Sequence, residues 1–194
     1  IIVVDDCSKD STSQEALAGG ATVLRHVINR GQGASLQTGT RYALKRGADI
    51  IVHFDADGQH RAQDIHRFLD AMKGDIDVVL GSRFLGSAQN MPAMKKLVLK
   101  AGILFTWIFS GIKLTDTHNG FRALTRKAAE TISIRENRMA HASEILHDIY
   151  QHKLRVIEIP VTILYTDYSL SRGQSMWNSV NIVRRLVWRK LFLD

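Results

Sequence analysis

Short apolar runs alternate along this chain with longer segments of mixed polarity. Ile1–Val4, Ile50–Phe54 and Asp77–Leu80 are nearly continuous apolar runs, which is typical of strands buried on both faces. Gly31–Arg46 and Ala62–Met72 carry the apolar spacing and end signals of helices. The alternation predicts an α/β fold: a doubly wound, mostly parallel sheet with helices on both faces.

The second half of the sequence is less regular. Lys95–Leu114 is rich in Leu, Ile, Phe and Trp, but its fully apolar part, Ala101–Ile112, is about half the ~20 residues that a membrane-spanning helix needs. Thr115–Arg126 is polar and predicts a loop. Ala140–His152 predicts a helix, and Arg155–Tyr165 predicts one or two strands.

The C-terminal pattern is polar first and then amphipathic. Residues 166–175 predict a loop, and residues 180–193 predict a basic amphipathic helix. No repeat or linker divides the chain, so we expect residues 1–194 to form a single domain. Because the sequence begins inside a strand-like run, we expect the native domain to have residues before Ile1.

The charge balance narrows the class of partner. The 194 residues carry a formal net charge of +7, which favours a nucleic acid, a phosphate-rich substrate or an anionic membrane, unless the basic surface is inert. No nucleic-acid-binding motif is recognisable, so that partner is disfavoured. Cys7 is the single cysteine and cannot form an internal disulfide.

Acidic residues follow two of the predicted strands. Asp5-Asp6 follows the strand Ile1–Val4, and Asp55-Ala56-Asp57 follows the strand Ile50–Phe54, at the edge where such sheets bind ligands. Two carboxylates at positions i and i+2 can converge on one Mg²⁺ or Mn²⁺ ion that bridges a diphosphate. The alternative for an isolated D-x-D is a solvated turn. A calcium loop is excluded, because Gln59 and His66 stand where that loop needs acids.

Five sequence motifs follow one another along the chain: VVDDCSKDST, NRGQGASLQTGTRYAL, DADGQH, GSRF and DTHNGFRALTR. Together they resemble glycosyltransferase family 2, with the GT-A fold, and within it the polyprenyl-phosphate (dolichyl-phosphate) hexosyltransferase-like enzymes. The resemblance implies metal-dependent, inverting transfer of a hexose from a nucleotide-diphosphate sugar to a polyprenyl phosphate. The family normally opens with a strand ending in P-x-x-N-E, and the sequence lacks it, so we expect the native first strand to be missing.

The resemblance also implies roles for individual residues. Asp5 and Asp6 would contact the base and ribose of the donor, and Gly31 and Gly33 would let the backbone approach it, although an acid can also cap a helix and a glycine can simply form a turn. The implied donor-binding set is Asp5, Asp6, Asn29, Arg30, Gly31, Asp55, Ala56, Asp57 and Arg172.

The implied metal ligands are Asp55, Asp57 and Gln59, with surface solvation as the alternative for Gln59. Catalytic roles would fall to Asp57, Asp116 and Arg83. Arg83 and Arg122 would bind phosphate or the acceptor. Two alternatives stay open: Arg83 as an exposed cation at a strand end, and a pairing of Asp116 with Arg122 that holds the loop.

The nature of the acceptor decides the chemistry. A lipid phosphate is already anionic and needs no general base, whereas a saccharide hydroxyl would need one, with Asp116 as the candidate. Residues 180–193 and Lys95–Leu114 suit a peripheral position at the cytoplasmic face of a membrane, or else packing into the core or onto an oligomer partner. The competing hypotheses are a soluble family 2 transferase and a non-catalytic nucleotide-sugar-binding protein.

Overall fold

A computed structural model describes residues 1–110, 113–138 and 140–166, apart from the side chains of residues 105, 109 and 110. The strands are β1 (Ile2–Asp5), β2 (Thr22–Arg25), β3 (Ile50–His53), β4 (Val78–Gln89), β5 (Arg122–Thr125) and β6 (Val156–Leu164). The helices are α1 (Thr12–Ala18), α2 (Gln32–Lys45), α3 (Ile65–Ala71), α4 (Ala93–Ser110), α5 (Arg126–Thr131) and α6 (His141–Gln151), and a 3₁₀ turn (Ala62–Asp64) precedes α3.

Most of the strands run in one direction. β1 and β2 form a parallel pair, and the other four strands form a sheet in the order β3-β5-β4-β6. β5 is antiparallel to both of its neighbours, while β4 and β6 are parallel. β3, β4 and β6 therefore share a direction, so the predicted mostly parallel sheet is confirmed, with β5 as its reversed strand.

Alternate residues of the central strands supply two hydrophobic clusters. Val78 and Leu124 pack into a cluster with apolar side chains of α2, α5 and α6, whereas Val79 and Ala123 pack into a second one with α3. Because successive strand residues face opposite sides of a sheet, the two clusters lie on its two faces. Helices on both faces, as predicted, follow from this arrangement.

β4 is longer than the sequence indicates. The predicted strand stopped at Leu80, but β4 continues to Gln89 and pairs with β6, with a register shift between Ser82 and Ser87. Gly86 permits this approach, because a Cβ atom there would lie 2.2 Å from the Val161 carbonyl oxygen. The polar residues after Leu80 are therefore strand residues.

The predicted loop at Thr115–Arg126 is wrong in its last third. Arg122–Thr125 forms β5, which lies in the sheet between β3 and β4. Arg122, Ala123 and Leu124 are all buried there, although the segment has no long apolar run. α5 follows directly, and the Thr125 side chain caps it by accepting a hydrogen bond from the Ala128 N–H, 3.2 Å away.

α4 confirms that most of the Lys95–Leu114 region is helical. No helix in the described parts of the chain is both long enough and apolar enough to cross a bilayer. The predicted C-terminal helix at residues 180–193, the loop after residue 166 and Arg172 lie outside the described residues.

Candidate active site

Asp5 ends β1 with a fully buried carboxylate. It accepts hydrogen bonds from the Ser13 hydroxyl and from the Ser8 N–H (2.8 Å), and Arg25 Nε lies 3.6 Å away. The hydrogen bond from Ser13, followed by the one from the Ser8 N–H, lowers the pKa of Asp5 to about 2. The cost of burying the carboxylate opposes this shift but is smaller. Asp5 therefore ties β1 to the loop and helix that follow it, and its predicted contact with a donor stays a prediction.

Asp6 fixes the loop that leads into α2. Its carboxylate accepts the N–H groups of Arg30 (2.8 Å) and Gly31 (2.6 Å), and its carbonyl accepts from Asn29 Nδ2 (3.1 Å). His26 Nδ1 lies 2.7 Å from the carboxylate. Burial opposes ionisation, but these hydrogen bonds still lower the pKa of Asp6. The predicted donor segment Asn29–Gly31 is therefore held against the end of β1.

Asp55 lies two residues beyond the end of β3, beside the start of α2. Gln32 Nε2 donates to Asp55 Oδ1 at 2.8 Å, and His60 Nε2 lies 3.8 Å from Oδ2. Burial would raise the pKa of Asp55, but the His60 imidazole, the charge of Arg122 and the Gln32 amide together keep it below its ordinary value. The carboxylate is therefore ionised at neutral pH.

Gly120 leaves the space that the Asp55 carboxylate occupies. A Cβ atom at position 120 would lie 2.0 Å from Asp55 Oδ2. Any other residue there would displace this carboxylate or the backbone beside it. The N-G-F-R segment thus contacts the D-x-D segment through a residue without a side chain.

The rest of the D-x-D turn is held by its own backbone. Asp57 Oδ1 accepts the Gln59 N–H at 3.0 Å, and Gly58 adopts a positive φ of 77°. The Leu164 N–H donates to the Gln59 carbonyl at 3.1 Å and ties the turn to β6. Ala56 is exposed at the tip of the turn.

The oxygen ligands of the D-x-D turn fit a hard divalent cation only if substrate oxygens complete its coordination. Asp55 and Asp57 supply carboxylate oxygens and Gln59 an amide oxygen, the ligand types that Mg²⁺ and Mn²⁺ prefer. Within the described residues no group of three or more His, Cys, Asp or Glu residues is placed to hold a metal. Since magnesium sites in proteins commonly combine one or two carboxylates with substrate phosphates, the residues present fit that kind of site.

Arg83 and Asp116 form a buried ion pair. Arg83 Nε lies 2.6 Å from Asp116 Oδ2, which also accepts the Arg83 N–H at 3.1 Å. The guanidinium further donates to the Tyr165 hydroxyl (2.5 Å) and the His118 carbonyl (2.8 Å). The exposed-cation alternative for Arg83 is wrong, and Asp116 pairs with Arg83 rather than with Arg122.

Arg122 is buried in β5 opposite His53 of β3. Its Nε donates to the Asn119 carbonyl at 3.2 Å, but its Nη1 is buried without a hydrogen-bond partner in the described structure. Burial lowers the pKa of Arg122, while the charges of Asp55 and Asp116 oppose that shift. An unpaired guanidinium nitrogen thus lies in the field of both acids.

Two residues that the sequence did not single out lie beside Asp116 and Tyr165 at this edge. Glu158 of β6 accepts hydrogen bonds from the Thr115 N–H (2.8 Å), the Thr115 hydroxyl (2.9 Å) and the Asp116 N–H (3.0 Å). Lys95 of α4 places its Nζ 4.5 Å from the centroid of the Tyr165 ring. A carboxylate inside the apolar run VIEIP was a usable signal for Glu158, since a charge within an apolar strand needs partners.

Gln32, His60 and Gly120 were also missed as supports of Asp55. All three lie inside the motif segments, next to residues that were singled out. Their contacts with Asp55 join the segments into one edge of the sheet. No local sequence pattern indicates those contacts, because they depend on the tertiary arrangement.

Comparison with known proteins shows which family this chain is similar to. The family described as "Glycosyl transferase family 2" matches residues 1–133. An uncharacterized protein of Methanocaldococcus jannaschii is 35% identical over 197 residues, covering 99% of this chain and 81% of that protein. The UDP-N-acetylglucosamine–dolichyl-phosphate N-acetylglucosaminyltransferase of Methanococcus voltae is 34% identical over 214 residues, covering 98% and 85%.

A solved structure supports the fold. Glucosyl-3-phosphoglycerate synthase from Mycobacterium tuberculosis, in complex with Mn²⁺, uridine diphosphate and glucosyl-3-phosphoglycerate, superposes with a TM-score of 0.70 at 15% identity. The match covers 96% of this chain and 65% of that one. With the family match and the two relatives, these findings show that the chain belongs to glycosyltransferase family 2.

Proposed function

We propose that this protein is an inverting glycosyltransferase that moves a hexose from a nucleotide-diphosphate sugar to a polyprenyl phosphate at a membrane surface. The observation that carries the proposal is the ionised Asp55 carboxylate, held by Gln32 and His60 at the end of β3 in the space that Gly120 leaves. The relatives named as dolichyl-phosphate N-acetylglucosaminyltransferase of Methanococcus voltae and undecaprenyl-phosphate mannosyltransferase of Micrococcus luteus support the acceptor class.

Asp55, Asp57 and Gln59 would hold the Mg²⁺ or Mn²⁺ ion. When bound, such an ion offsets the charge that develops on the departing diphosphate. The protein's own part is to keep Asp55 ionised and oriented. The loop Asn29–Gly31, fixed by Asp6, lies beside α2, whose first residue contacts Asp55, and so it flanks the space for the donor.

The state of Asp116 favours a phosphate acceptor over a saccharide hydroxyl. Its two oxygens accept hydrogen bonds from Arg83 Nε, the Arg83 N–H and the His118 N–H. Acting as a general base would require it to give up this buried ion pair, and breaking such pairs typically costs about 3–5 kcal/mol. A phosphate oxygen is already anionic, so the transfer needs only positioning and charge stabilisation.

Positive charge is available for that positioning. Lys95, at Tyr165, lies in the combined field of Arg83 and Asp57, and burial together with Arg83 lowers its pKa. Arg122 brings its unpaired Nη1 to the same edge from β5. We assign Arg83 the role of orienting Asp116 and Tyr165, and Arg122 and Lys95 the role of attracting anionic groups.

The test is turnover with uridine- and guanosine-diphosphate sugars, Mg²⁺ or Mn²⁺, and polyprenyl phosphate in detergent. We expect product of inverted anomeric configuration with one donor class, and loss of at least about 100-fold in kcat/KM for Asp57→Asn. Asp70→Asn, on the exposed side of α3, is the matched control and should leave turnover unchanged. Absence of turnover with every donor, or an Asp57→Asn enzyme as active as the control, would overturn the proposal.

A further inference from the structure

A loop segment at residues 134–138, which begins where the family match ends, packs directly against the first turn of α2. A Cβ atom on Gly33 would lie 2.0 Å from the Glu136 carbonyl oxygen. A Cβ atom on Gly31 would lie 2.3 Å from the Asn137 carbonyl oxygen. Because a side chain at either glycine would clash with this segment, the two backbones are in direct contact, and a shift of one displaces the other.

Two side chains fix the position of this loop segment. Glu144, in the first turn of α6, uses its Oε2 to accept the N–H groups of Arg135 (2.8 Å) and Glu136 (2.9 Å). Gln37 of α2 accepts the Ile134 N–H through its Oε1 at 2.7 Å. Since one carboxylate oxygen accepts two consecutive N–H groups, Glu144 fixes both the place and the direction of the backbone that meets α2.

The same turn of α2 carries a contact of the candidate active site. Gln32 lies between the two glycines and donates to Asp55 Oδ1 at 2.8 Å. The Gly31 N–H donates to the Asp6 carboxylate at 2.6 Å. A displacement of this turn would therefore move the Gln32 amide relative to the carboxylate of Asp55.

We propose that Glu144 is a positioning residue for the candidate active site. Through residues 135–137 it holds the first turn of α2 in place, and that turn holds Gln32 on Asp55. Its effect on turnover rests on the proposed function, whereas its effect on α2 does not. Glu144 acts indirectly, because its own carboxylate binds backbone N–H groups of the loop.

Asp148, one turn further along α6, provides the matched control. Its Oδ2 accepts the Ser133 N–H at 2.9 Å, so it also ties α6 to this loop, and both carboxylates are partly buried. Ser133 comes before the part of the loop that meets Gly31 and Gly33. Asp148→Ala therefore removes a similar contact without releasing the residues that hold α2.

The experiment compares Glu144→Ala, Glu144→Gln and Asp148→Ala with the natural protein. Glu144→Gln keeps an oxygen that can accept the two N–H groups and serves as the conservative variant. Turnover is measured with uridine- and guanosine-diphosphate sugars, polyprenyl phosphate in detergent and several Mn²⁺ concentrations. Amide hydrogen exchange without ligand reports the first turn of α2, and urea unfolding reports stability. Glu144→Met, which keeps the side-chain length, replaces the alanine variant if that variant does not fold.

We expect Glu144→Ala to lower kcat/KM about tenfold and to raise the Mn²⁺ concentration for half-maximal turnover. The Ala34 N–H, which donates to the Asn137 carbonyl at 3.3 Å, should exchange about tenfold faster. Glu144→Gln and Asp148→Ala should keep kcat/KM within about threefold of the natural value and leave this exchange unchanged.

A double variant tests whether Glu144 acts through Gln32. If it does, Gln32→Ala/Glu144→Ala should lose about tenfold in kcat/KM, like either single variant, whereas independent effects would multiply to about 100-fold. A 100-fold loss, or equal losses in Glu144→Ala and Asp148→Ala, would overturn the proposal. Unchanged exchange of the Ala34 N–H in Glu144→Ala would also overturn it. A failure of the proposed function would instead appear as no turnover by the natural protein, and the exchange measurement would still test the role of Glu144.

Discussion

Replacing Gly120 by alanine tests whether the placement of Asp55 governs activity. The added Cβ would lie 2.0 Å from Asp55 Oδ2, 2.7 Å from Cγ and 3.0 Å from Oδ1. Contacts of a Cβ atom under 3.0 Å essentially do not occur, so the nearest oxygen must move away by about 1 Å even to reach a tight contact. The φ angle of Gly120 is not in the left-handed region, so alanine meets no backbone strain of its own.

A misplacement of about 1 Å at a catalytic group typically costs about 100-fold in rate, or ~2.7 kcal/mol. We therefore expect Gly120→Ala to lower kcat/KM by about 100-fold and to raise the Mn²⁺ concentration for half-maximal turnover. Moving one carboxylate leaves the hydrophobic clusters intact, so the free energy of unfolding should fall by no more than about 2 kcal/mol.

The assay is donor turnover at several Mn²⁺ concentrations, with urea unfolding followed by circular dichroism. Gly19→Ala is the matched control, because its Cβ would meet only backbone oxygens at 3.5 Å, at the end of α1. The control should keep full activity. A Gly120→Ala enzyme that keeps kcat/KM within about threefold of the natural value would show that Asp55 tolerates displacement, contrary to this prediction.

Three further substitutions test the supporting contacts. Gln32→Ala removes the 2.8 Å hydrogen bond to the Asp55 carboxylate and should lower kcat/KM about tenfold in the turnover assay, with little change in unfolding. Glu158→Gln replaces one of the two oxygens that accept from the N–H and hydroxyl groups of residues 115–116 by an NH₂ group, which cannot accept, and should lower the free energy of unfolding in urea by about 1–3 kcal/mol. Asp5 has a pKa of about 2, below its ordinary 3.8, chiefly because of the Ser13 hydroxyl, so its stabilisation is present above about pH 4 and is lost as the pH falls towards 2. The stability difference between the natural protein and Asp5→Asn should therefore shrink by about 1–2 kcal/mol between pH 6 and pH 3, and a constant difference would contradict this assignment.

Local patterns were sufficient for the elements that present the D-x-D segment. The apolar run Ile50–Phe54 predicts β3 (Ile50–His53) to within one residue, because a short, nearly continuous apolar run is typical of a strand in a mostly parallel sheet. The position of the acids that follow β3 was also predictable, because a carboxylate directly after a strand has to lie at the carboxyl end of that strand.

β5 and the extension of β4 could not be predicted from local sequence patterns. β5 carries a buried Arg122 where a central strand is expected to be apolar, and its place between β3 and β4 depends on pairing across long separations. The second half of β4 looks polar, and its pairing depends on the close approach of Gly86 to Val161. Arg83 resembled an exposed cation because its partner, Asp116, lies 33 residues away in sequence.

Unpaired buried nitrogens concentrate at the same edge. His53 Nδ1, His60 Nδ1, Asn119 Nδ2 and Arg122 Nη1 are the buried side-chain polar atoms without a partner in the described parts of the chain. Each such atom typically costs about 1–3 kcal/mol, so a fold selected for stability alone would replace them. They lie instead in β3, in β5 and in the two turns that surround Asp55. Because natural folds depart from full hydrogen-bond pairing mainly at functional sites, this clustering is an argument for a functional edge that does not depend on the motifs.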